Sequence, residues 1–220
     1  MKNLFCLLIL IPFVSFAKFR NGVITFNDNT TRNGFIEIPD DSENNKIKFR
    51  QEEKGKTEKF PIELVKSFVI YNENGQQTKF VITHLAYFNG FKSDNSFKIH
   101  KKWACVKVIK EGKINLYSAW FMTTGPGGGA VGGASLNGSF TSSGDLYLNK
   151  EGQDYALEFY EADASGFSIT VNSWKYFMTI VEKHFGKECP DLIKLIDKDD
   201  FKKNGYDRIV DLYEQNCGKK

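Results

Sequence analysis

Short runs of alternating apolar and polar residues fill the chain between residues 19 and 170, and most of them end at a turn signal. The clearest signal is Asn74-Gly75, because Asn-Gly is the strongest short indication of a β-hairpin. Glu111-Gly112 and Glu151-Gly152 separate similar pairs of runs. We therefore expect hairpins throughout this region. The main predicted strands are 23–26, 34–38, 68–71, 79–83, 103–109, 113–122, 146–148 and 155–160.

The alternation also predicts which side chains point inward. Several short strands joined by regular turns favour a curled antiparallel meander or a small barrel, and a sandwich remains an alternative. For the two strands around Glu111-Gly112, the predicted inward sets are Ala104, Val106 and Val108 in the first, and Ile114, Leu116, Ser118 and Trp120 in the second.

The spacing of apolar residues changes after Val171 from an interval of two to the interval of a helix. Such stripes are typical of helices that pack on a sheet. We therefore predict a mainly β, α+β fold with two or three C-terminal helices against the sheet. The stripes are Trp174, Phe177, Val181 and Phe185, then Leu192, Leu195 and Ile196, then Tyr206, Ile209, Val210 and Tyr213.

The first 17 residues have the pattern of a secretory signal peptide. Lys2 precedes an apolar run, and Ser15-Phe16-Ala17 forms a small-x-small cleavage site. We expect cleavage after Ala17 and export to the periplasm or the exterior, with peripheral association with the envelope an open alternative. The chain then divides into a signal peptide at 1–17, a β domain at 18–171 and a helical region at 172–220.

Three cysteines remain if Cys6 is removed with the leader. An oxidising compartment favours disulfide formation. If the second and third predicted helices run antiparallel, Cys189 at the start of one lies beside Cys217 at the end of the other. We therefore predict a Cys189–Cys217 disulfide and a free or buried thiol at Cys105.

Charge gives no reason to expect a nucleic acid partner, and hydropathy gives no membrane-spanning helix after the leader. The chain has 30 Lys and Arg against 27 Asp and Glu, so the near balance gives no reason to expect nucleic acid. No apolar run after the leader approaches the roughly 20 residues of a membrane-spanning helix. We expect the partner to be an envelope protein or another surface component.

A glycine-rich insertion occupies residues 123–144, and strands are predicted on both sides of it. A phosphate-binding loop needs a lysine and a following helix, and the insertion has no lysine. The composition instead predicts a flexible hairpin tip. Val131, Leu136 and Phe140 are the residues through which this loop could contact a partner.

The candidates for chemistry lack the spacing that chemistry needs. His84, His100 and His184 have no interval that places two ligands on one face. The acidic group from Asp197 to Asp200 lacks the closing glutamate of a calcium loop, which favours a solvated loop between helices. The sequence therefore predicts no cofactor, no metal site and no catalytic residue.

Several segments carry a resemblance to a known group of proteins. They are the hairpin Gly22-Val-Ile-Thr-Phe26, the segment Phe60-Pro-Ile-Glu-Leu-Val-Lys-Ser-Phe68, and Cys189-Pro-Asp-Leu192 followed by Cys217. In these the chain resembles small secreted β-rich proteins of unknown function from Bacteroidota-type bacteria. The resemblance implies a fold and an exported location, and it supplies no catalytic residue. The glycine-rich insertion departs from the usual form of the group.

These observations favour an exported, non-enzymatic structural or binding module of the cell envelope. One alternative is a carrier that holds a small apolar ligand inside a β-barrel. A less favoured alternative is a hydrolase whose site forms only in the folded chain, from His84 or His100 with Cys105 or a carboxylate. A large interior cavity would favour the carrier, and a filled interior would favour the binding module.

Overall fold

The structure is a computed structural model that describes residues 19–88, 97–120, 145–160 and 171–217, without the side chains of 171–173. The predicted signal peptide and the glycine-rich insertion, with Val131, Leu136 and Phe140, lie outside these residues.

The described chain forms ten strands followed by four helices. The strands are β1 (Phe19–Phe26), β2 (Thr31–Glu37), β3 (Lys46–Arg50), β4 (Glu58–Pro61), β5 (Val65–Tyr71), β6 (Gln77–Phe88), β7 (Phe97–Lys110), β8 (Ile114–Ala119), β9 (Asp145–Lys150) and β10 (Tyr155–Tyr160). A 3₁₀ turn at Ile62–Leu64 precedes β5. The helices are α1 (Val171–Phe185), α2 (Pro190–Leu195), α3 (Lys198–Asn204) and α4 (Arg208–Asn216).

Strands β6 to β10 close into a five-stranded barrel. Neighbours along the chain pair antiparallel, and the ring closes because β10 pairs parallel with β6, with Ala156 opposite Leu85. The mainly β fold with helices packed against the sheet is therefore confirmed. Of the architectures that the alternation left open, the chain adopts the barrel.

The remaining strands extend the same sheet from one edge of β6, in the order β5, β1, β2, β3, β4. Residues Gln77 to Val81 on that edge pair with β5, whereas His84 to Ala86 pair with β10. The edge is thus shared by two strands that diverge around Ile82 and Thr83. We call this place the fork.

Side chains fill the barrel interior. A barrel of eight strands is just wide enough for side chains to fill it, so five strands leave less room. The interior side chains are Val81, Leu85, Ala104, Val106, Val108, Tyr117, Ala119, Tyr147 and Ala156, and they form one apolar cluster.

The inward set predicted for β7 is confirmed, but the set predicted for β8 is wrong. Ile114 and Leu116 face outward and lie under the helices, while Tyr117 and Ala119 face the interior. Both faces of β8 are buried, so alternation alone cannot identify the inner face.

The helices cover the outer face of β8, β9 and β10. Phe177, Val181 and Phe185 of α1 are buried there, as the helical spacing predicts. The chain has four described helices instead of the two or three predicted, because Asp197 caps an additional short helix, α3. Within the part of the chain that the structure describes, no helix is long and apolar enough to cross a membrane.

A second apolar core lies where the N-terminal strands curl over the outer face of β6 and β7. Ile24, Phe49, Phe68 and Phe80 are fully buried in it, together with the free thiol of Cys105. This core is separate from the barrel interior and lies on the other face of the same two strands.

The loop between β2 and β3 ties this second core to the barrel. Ser42 exchanges two backbone hydrogen bonds, since its N–H donates to the Trp120 carbonyl at 2.8 Å and its carbonyl accepts from the Cys105 N–H at 2.8 Å. The Ser42 hydroxyl also accepts a hydrogen bond from the Trp120 N–H at 2.8 Å.

A disulfide joins the start of α2 to the end of α4. The Sγ atoms of Cys189 and Cys217 lie 2.02 Å apart and their Cα atoms 5.7 Å apart. This is the pairing that the antiparallel arrangement of the two helices predicts.

Candidate binding groove

A groove of about 370 Å³ opens at the fork, where β5 and β10 separate from β6. It lies at the mouth of the barrel beside the turn between β9 and β10. Residues from six parts of the chain line it: Asn27, Glu63, Val65, Lys66, Ser67, Lys79, Val81, Ile82, Thr83, Trp103, Tyr117, Asn149, Gln153 and Asp154.

The floor of the groove is a set of buried polar side chains, chiefly Thr83, Tyr117 and Asn149. The Asn149 amide nitrogen donates to the Tyr155 carbonyl at 2.7 Å and to the Gln153 carbonyl at 3.1 Å. Its amide oxygen accepts a long hydrogen bond of 3.4 Å from the Tyr117 hydroxyl. Because these bonds fix the amide, the floor presents its polar atoms in one arrangement.

Tyr117 is held in its protonated form. Burial is the main cause, and the charge of Glu111 adds to it, so the pKa of the phenol rises to about 12. A neutral phenol both donates and accepts hydrogen bonds. Tyr117 therefore offers the groove a hydroxyl and no charge.

Hydrogen bonds to β6 hold the turn between β9 and β10 at the fork. The Asp154 carbonyl accepts from the Thr83 hydroxyl at 3.2 Å and from the His84 N–H at 3.4 Å. Gly152 in the same turn has a φ of 83°, which residues with a side chain rarely adopt. The His84 N–H of β6 is thereby engaged by the turn.

Charged side chains at the rim balance one another. Lys79 pairs with Glu111 at 2.6 Å, and Lys66 donates to the Asn29 side chain at 2.8 Å. Glu63 and Asp154 are exposed, and their carboxylates take no hydrogen bond from the residues that the structure describes. Two lysines and two carboxylates thus line the groove, and only the lysines are held by neighbours.

Apolar side chains also line the groove. Val65, Val81, Ile82 and Trp103 contribute to it. The Trp103 ring stacks on His84 with the ring centres 3.8 Å apart. The groove therefore combines buried polar side chains with apolar side chains from both faces of the sheet.

The structure places the three histidines in different surroundings. His84 stacks on Trp103, and His100 lies 3.7 Å from Glu43. His184 is on α1, where burial and the charge of Lys150 lower its pKa to about 4. Among residues 19–88, 97–120, 145–160 and 171–217, no three His, Cys, Asp or Glu side chains form a group that could hold a metal ion.

Cys105 lies outside the groove and cannot act there as a nucleophile. Its thiol is fully buried in the core under the N-terminal strands, and this burial raises its pKa well above the usual value. Since the thiolate is the reactive form, this cysteine is inert.

The acidic residues after α2 have a structural role, and the predicted solvated loop there is wrong. The Asp197 side chain accepts from the backbone N–H groups of Asp199 and Asp200 and so caps α3. Asp200 also accepts a hydrogen bond from Arg208 at 3.0 Å.

Sequence reasoning missed the groove because its residues share no motif. Asn149 directly follows the apolar run Leu146-Tyr147-Leu148 and precedes Lys150-Glu151, so the sequence gives no sign that it is buried. No known protein family, curated protein or solved structure matches this chain.

Proposed function

We propose that this protein is an exported, non-enzymatic binding module whose ligand occupies the groove at the fork. The observation that carries the proposal is the buried polar floor of Thr83, Tyr117 and Asn149. Small-molecule sites typically combine apolar walls with a few fixed polar groups. The fork groove has both components.

The chemistry of the groove suits binding better than catalysis. A nucleophilic mechanism needs an activated nucleophile beside a base. Tyr117 is kept protonated, and Cys105 lies in another core. Glu63 and Asp154 are exposed carboxylates, which suit hydrogen bonding to a ligand. No contact within the described residues favours the hydrolase alternative.

The packed barrel favours a ligand at the mouth over a ligand inside. The carrier alternative needs an apolar cavity, and the described interior holds Leu85, Val106, Tyr117 and Tyr147 in contact. The same end of the barrel becomes polar at Asn149, where the groove begins. The ligand site is therefore a surface groove.

The exported location rests on the leader and the disulfide. The first 17 residues have the charged start, apolar centre and small-residue cleavage site of a signal peptide. The Cys189–Cys217 disulfide suits an oxidising compartment. The partner or ligand is thus a component of the envelope or of the medium.

A blocked groove tests the proposal. Purified protein that starts at Lys18 is screened by thermal shift against sugars, amino acids, dipeptides and nucleosides. Ser67→Trp places a large ring in the groove, whereas Lys187→Trp places the same ring on an exposed position outside it. We expect at least one ligand to raise the melting temperature of the native protein and of Lys187→Trp, but not of Ser67→Trp. Ligands that stabilise all three proteins equally, or turnover of the ligand, would refute the proposal.

A further inference from the structure

We propose that the far end of strands β6 and β7 docks this protein on the surface of an anionic lipid bilayer. This end consists of residues 87–88 and 97–102, and we call it the arm. The inference does not depend on the groove or on its ligand. Three properties carry it: the two strands pair only with each other there, one face is apolar, and lysines outnumber carboxylates.

The two strands of the arm have no other strand partner in the part of the chain that the structure describes. Phe88 lies opposite Phe97. β10 pairs with β6 no further than Ala86, and β8 pairs with β7 only from Lys107 onward. Lysines on an open edge hinder the addition of a further strand. An occupant of the arm therefore meets its side chains.

One face of the arm exposes apolar side chains. Phe97 and Ile99 are two positions apart on β7, so they point to the same side, and each is 41% exposed. The Phe97 ring lies 5.0 Å from the Tyr155 ring, centre to centre. Tyr155 pairs with His84, which stacks on Trp103. These side chains form one continuous apolar and aromatic face, and such contiguous exposure marks an interaction site.

Lysines accompany this face. Lys98, Lys101 and Lys102 lie in the arm, which contains no acidic residue. Glu43 pairs with Lys102 at 2.8 Å and lies 3.7 Å from His100. Lys98 and Lys101 are exposed and form no ion pair with the residues that the structure describes. Two of the three lysines are therefore available to an anionic surface.

The neighbours of the arm do not cancel this charge. The Lys183 ammonium of α1 lies 5.4 Å from the centre of the Phe88 ring and adds a fourth positive charge. Asp154 precedes Tyr155 in the chain and adds a second carboxylate to that of Glu43. Four lysines thus accompany two carboxylates in and around the arm, and an anionic partner is favoured.

An anionic bilayer matches these properties better than a folded protein does. Aromatic side chains are enriched where lipid meets water, and lysines at that level attract anionic lipids. A stable protein interface buries about 800 Å² on each partner, which is more than two exposed apolar side chains supply. Reversible docking on a bilayer needs only a few apolar anchors together with basic residues.

Vesicle co-sedimentation tests the docking. The protein that starts at Lys18 is mixed with vesicles of phosphatidylethanolamine and phosphatidylglycerol, or with neutral vesicles of phosphatidylcholine. We expect binding to the anionic vesicles to be at least about tenfold tighter. Raising the salt concentration from about 0.1 to 0.5 M should weaken it, because salt screens the attraction between lysines and lipid phosphates.

A matched pair of variants tests the apolar anchors. Phe97→Ser/Ile99→Ser should weaken binding to the anionic vesicles about tenfold or more, because two apolar side chains no longer leave water. Ile109→Ser changes a similarly exposed residue of β7 outside the arm and should leave binding unchanged. Brominated lipid chains should quench the fluorescence of Phe97→Trp more strongly than that of Ile109→Trp.

A second matched pair tests the lysines. Lys98→Gln/Lys101→Gln should weaken binding about tenfold or more, at roughly fivefold for each lysine. Lys54→Gln/Lys56→Gln removes two exposed lysines from the loop between β3 and β4 and should leave binding unchanged. Melting temperatures check that each variant is folded, and Ile99→Ser alone replaces the apolar double variant if that one is unfolded.

The outcomes decide the inference. Weakened binding in both arm variants and in neither control supports it. If the native protein does not bind anionic vesicles, or if the arm variants bind as the controls do, the inference is overturned. If soluble dextran sulfate binds as tightly as the vesicles and only the lysine variant loses binding, the partner is an acidic polymer and the inference is wrong. None of these results changes the test of the groove.

Discussion

Two serines show how differently identical side chains are used in this protein. Ser42 and Ser118 are both fully buried. The Ser42 hydroxyl accepts a hydrogen bond from the Trp120 N–H, but the Ser118 hydroxyl has no hydrogen-bond partner among the residues that the structure describes. The alternation had placed Ser118 among the inward residues of β8, so its burial was expected.

We expect opposite effects from removing the two hydroxyls. Ser118→Ala should leave the free energy of unfolding unchanged or raise it by up to about 1 kcal/mol, because an unpaired buried polar group is costly. Ser42→Ala should lower it by about 1–2 kcal/mol, because the Trp120 N–H loses its partner. Urea denaturation of the two variants measures the difference, and a larger loss in Ser118→Ala would contradict the interpretation.

His184 is a residue whose surroundings oppose protonation. Its Nε2 atom is buried and has no hydrogen-bond partner within the described part of the chain, and its carbonyl accepts from the Lys150 ammonium at 3.1 Å. Burial and the charge of Lys150 lower its pKa from 6.5 to about 4, although the nearby Glu188 carboxylate acts in the opposite direction.

This lowered pKa predicts a loss of stability in acid. Between about pH 6.5 and pH 4 the unfolded chain binds a proton at His184 that the folded chain does not, so stability falls as the pH falls. The loss reaches up to about 3 kcal/mol at pH 4. His184→Gln should flatten this part of the stability profile while changing little above pH 7. An unchanged acid slope in His184→Gln would contradict the assignment.

At the level of elements, the sequence predicted strands and hairpins better than faces. Asn74-Gly75, Glu111-Gly112 and Glu151-Gly152 all lie at turns between paired strands. The inner face of β8 was assigned wrongly because one side packs in the barrel and the other under the helices. Periodicity reports that a face is buried, but it does not report what covers that face.

The groove could not be predicted because it depends on how distant elements meet. Asn27 follows β1, Lys66 is on β5, and Asp154 precedes β10. Asn27 and Lys66 meet where β1 pairs with β5, and Asp154 joins them only because β10 returns to pair with the edge of β6. No local pattern in the sequence specifies that parallel pairing.

The disulfide stabilises the helical layer, and we expect its removal to lower the free energy of unfolding. Cys189 and Cys217 are separated by 28 residues, so the cross-link should contribute about 3–4 kcal/mol through the entropy of the unfolded chain. The double variant Cys189→Ser/Cys217→Ser leaves no unpaired thiol at these positions. Its urea denaturation midpoint should lie below that of the native protein.

A thiol assay supplies the control for this pair. The folded protein that starts at Lys18 should show no reactive thiol, because Cys105 is buried, and one thiol after unfolding without reductant. Non-reducing peptide mapping that links Cys105 to either partner would contradict the pairing.

At the level of the whole molecule, two cores share the same strands. Residues of β6 and β7 face the barrel interior on one side and the N-terminal core on the other. Ser42 adds direct bonds between the two parts. Neither core can lose its strands without disrupting the other.

We therefore expect one cooperative unfolding transition. Trp120 reports on the N-terminal core and Trp174 on the helical layer. Variants that keep only one of these two tryptophans, with the others changed to Phe, should each give the same midpoint from fluorescence and from circular dichroism. Separate midpoints for the two probes within either variant would show that the layers unfold independently.

The parallel closure of the barrel also determines when a growing chain can finish folding. The three residues of β6 that pair with β10 precede their partners by about 70 positions. Closing so long a loop is entropically costly and slow. Until residue 157 has been made, that stretch of β6 is an open edge that another chain can occupy. A nascent or truncated chain that lacks β10 is therefore the form of this protein most prone to aggregate.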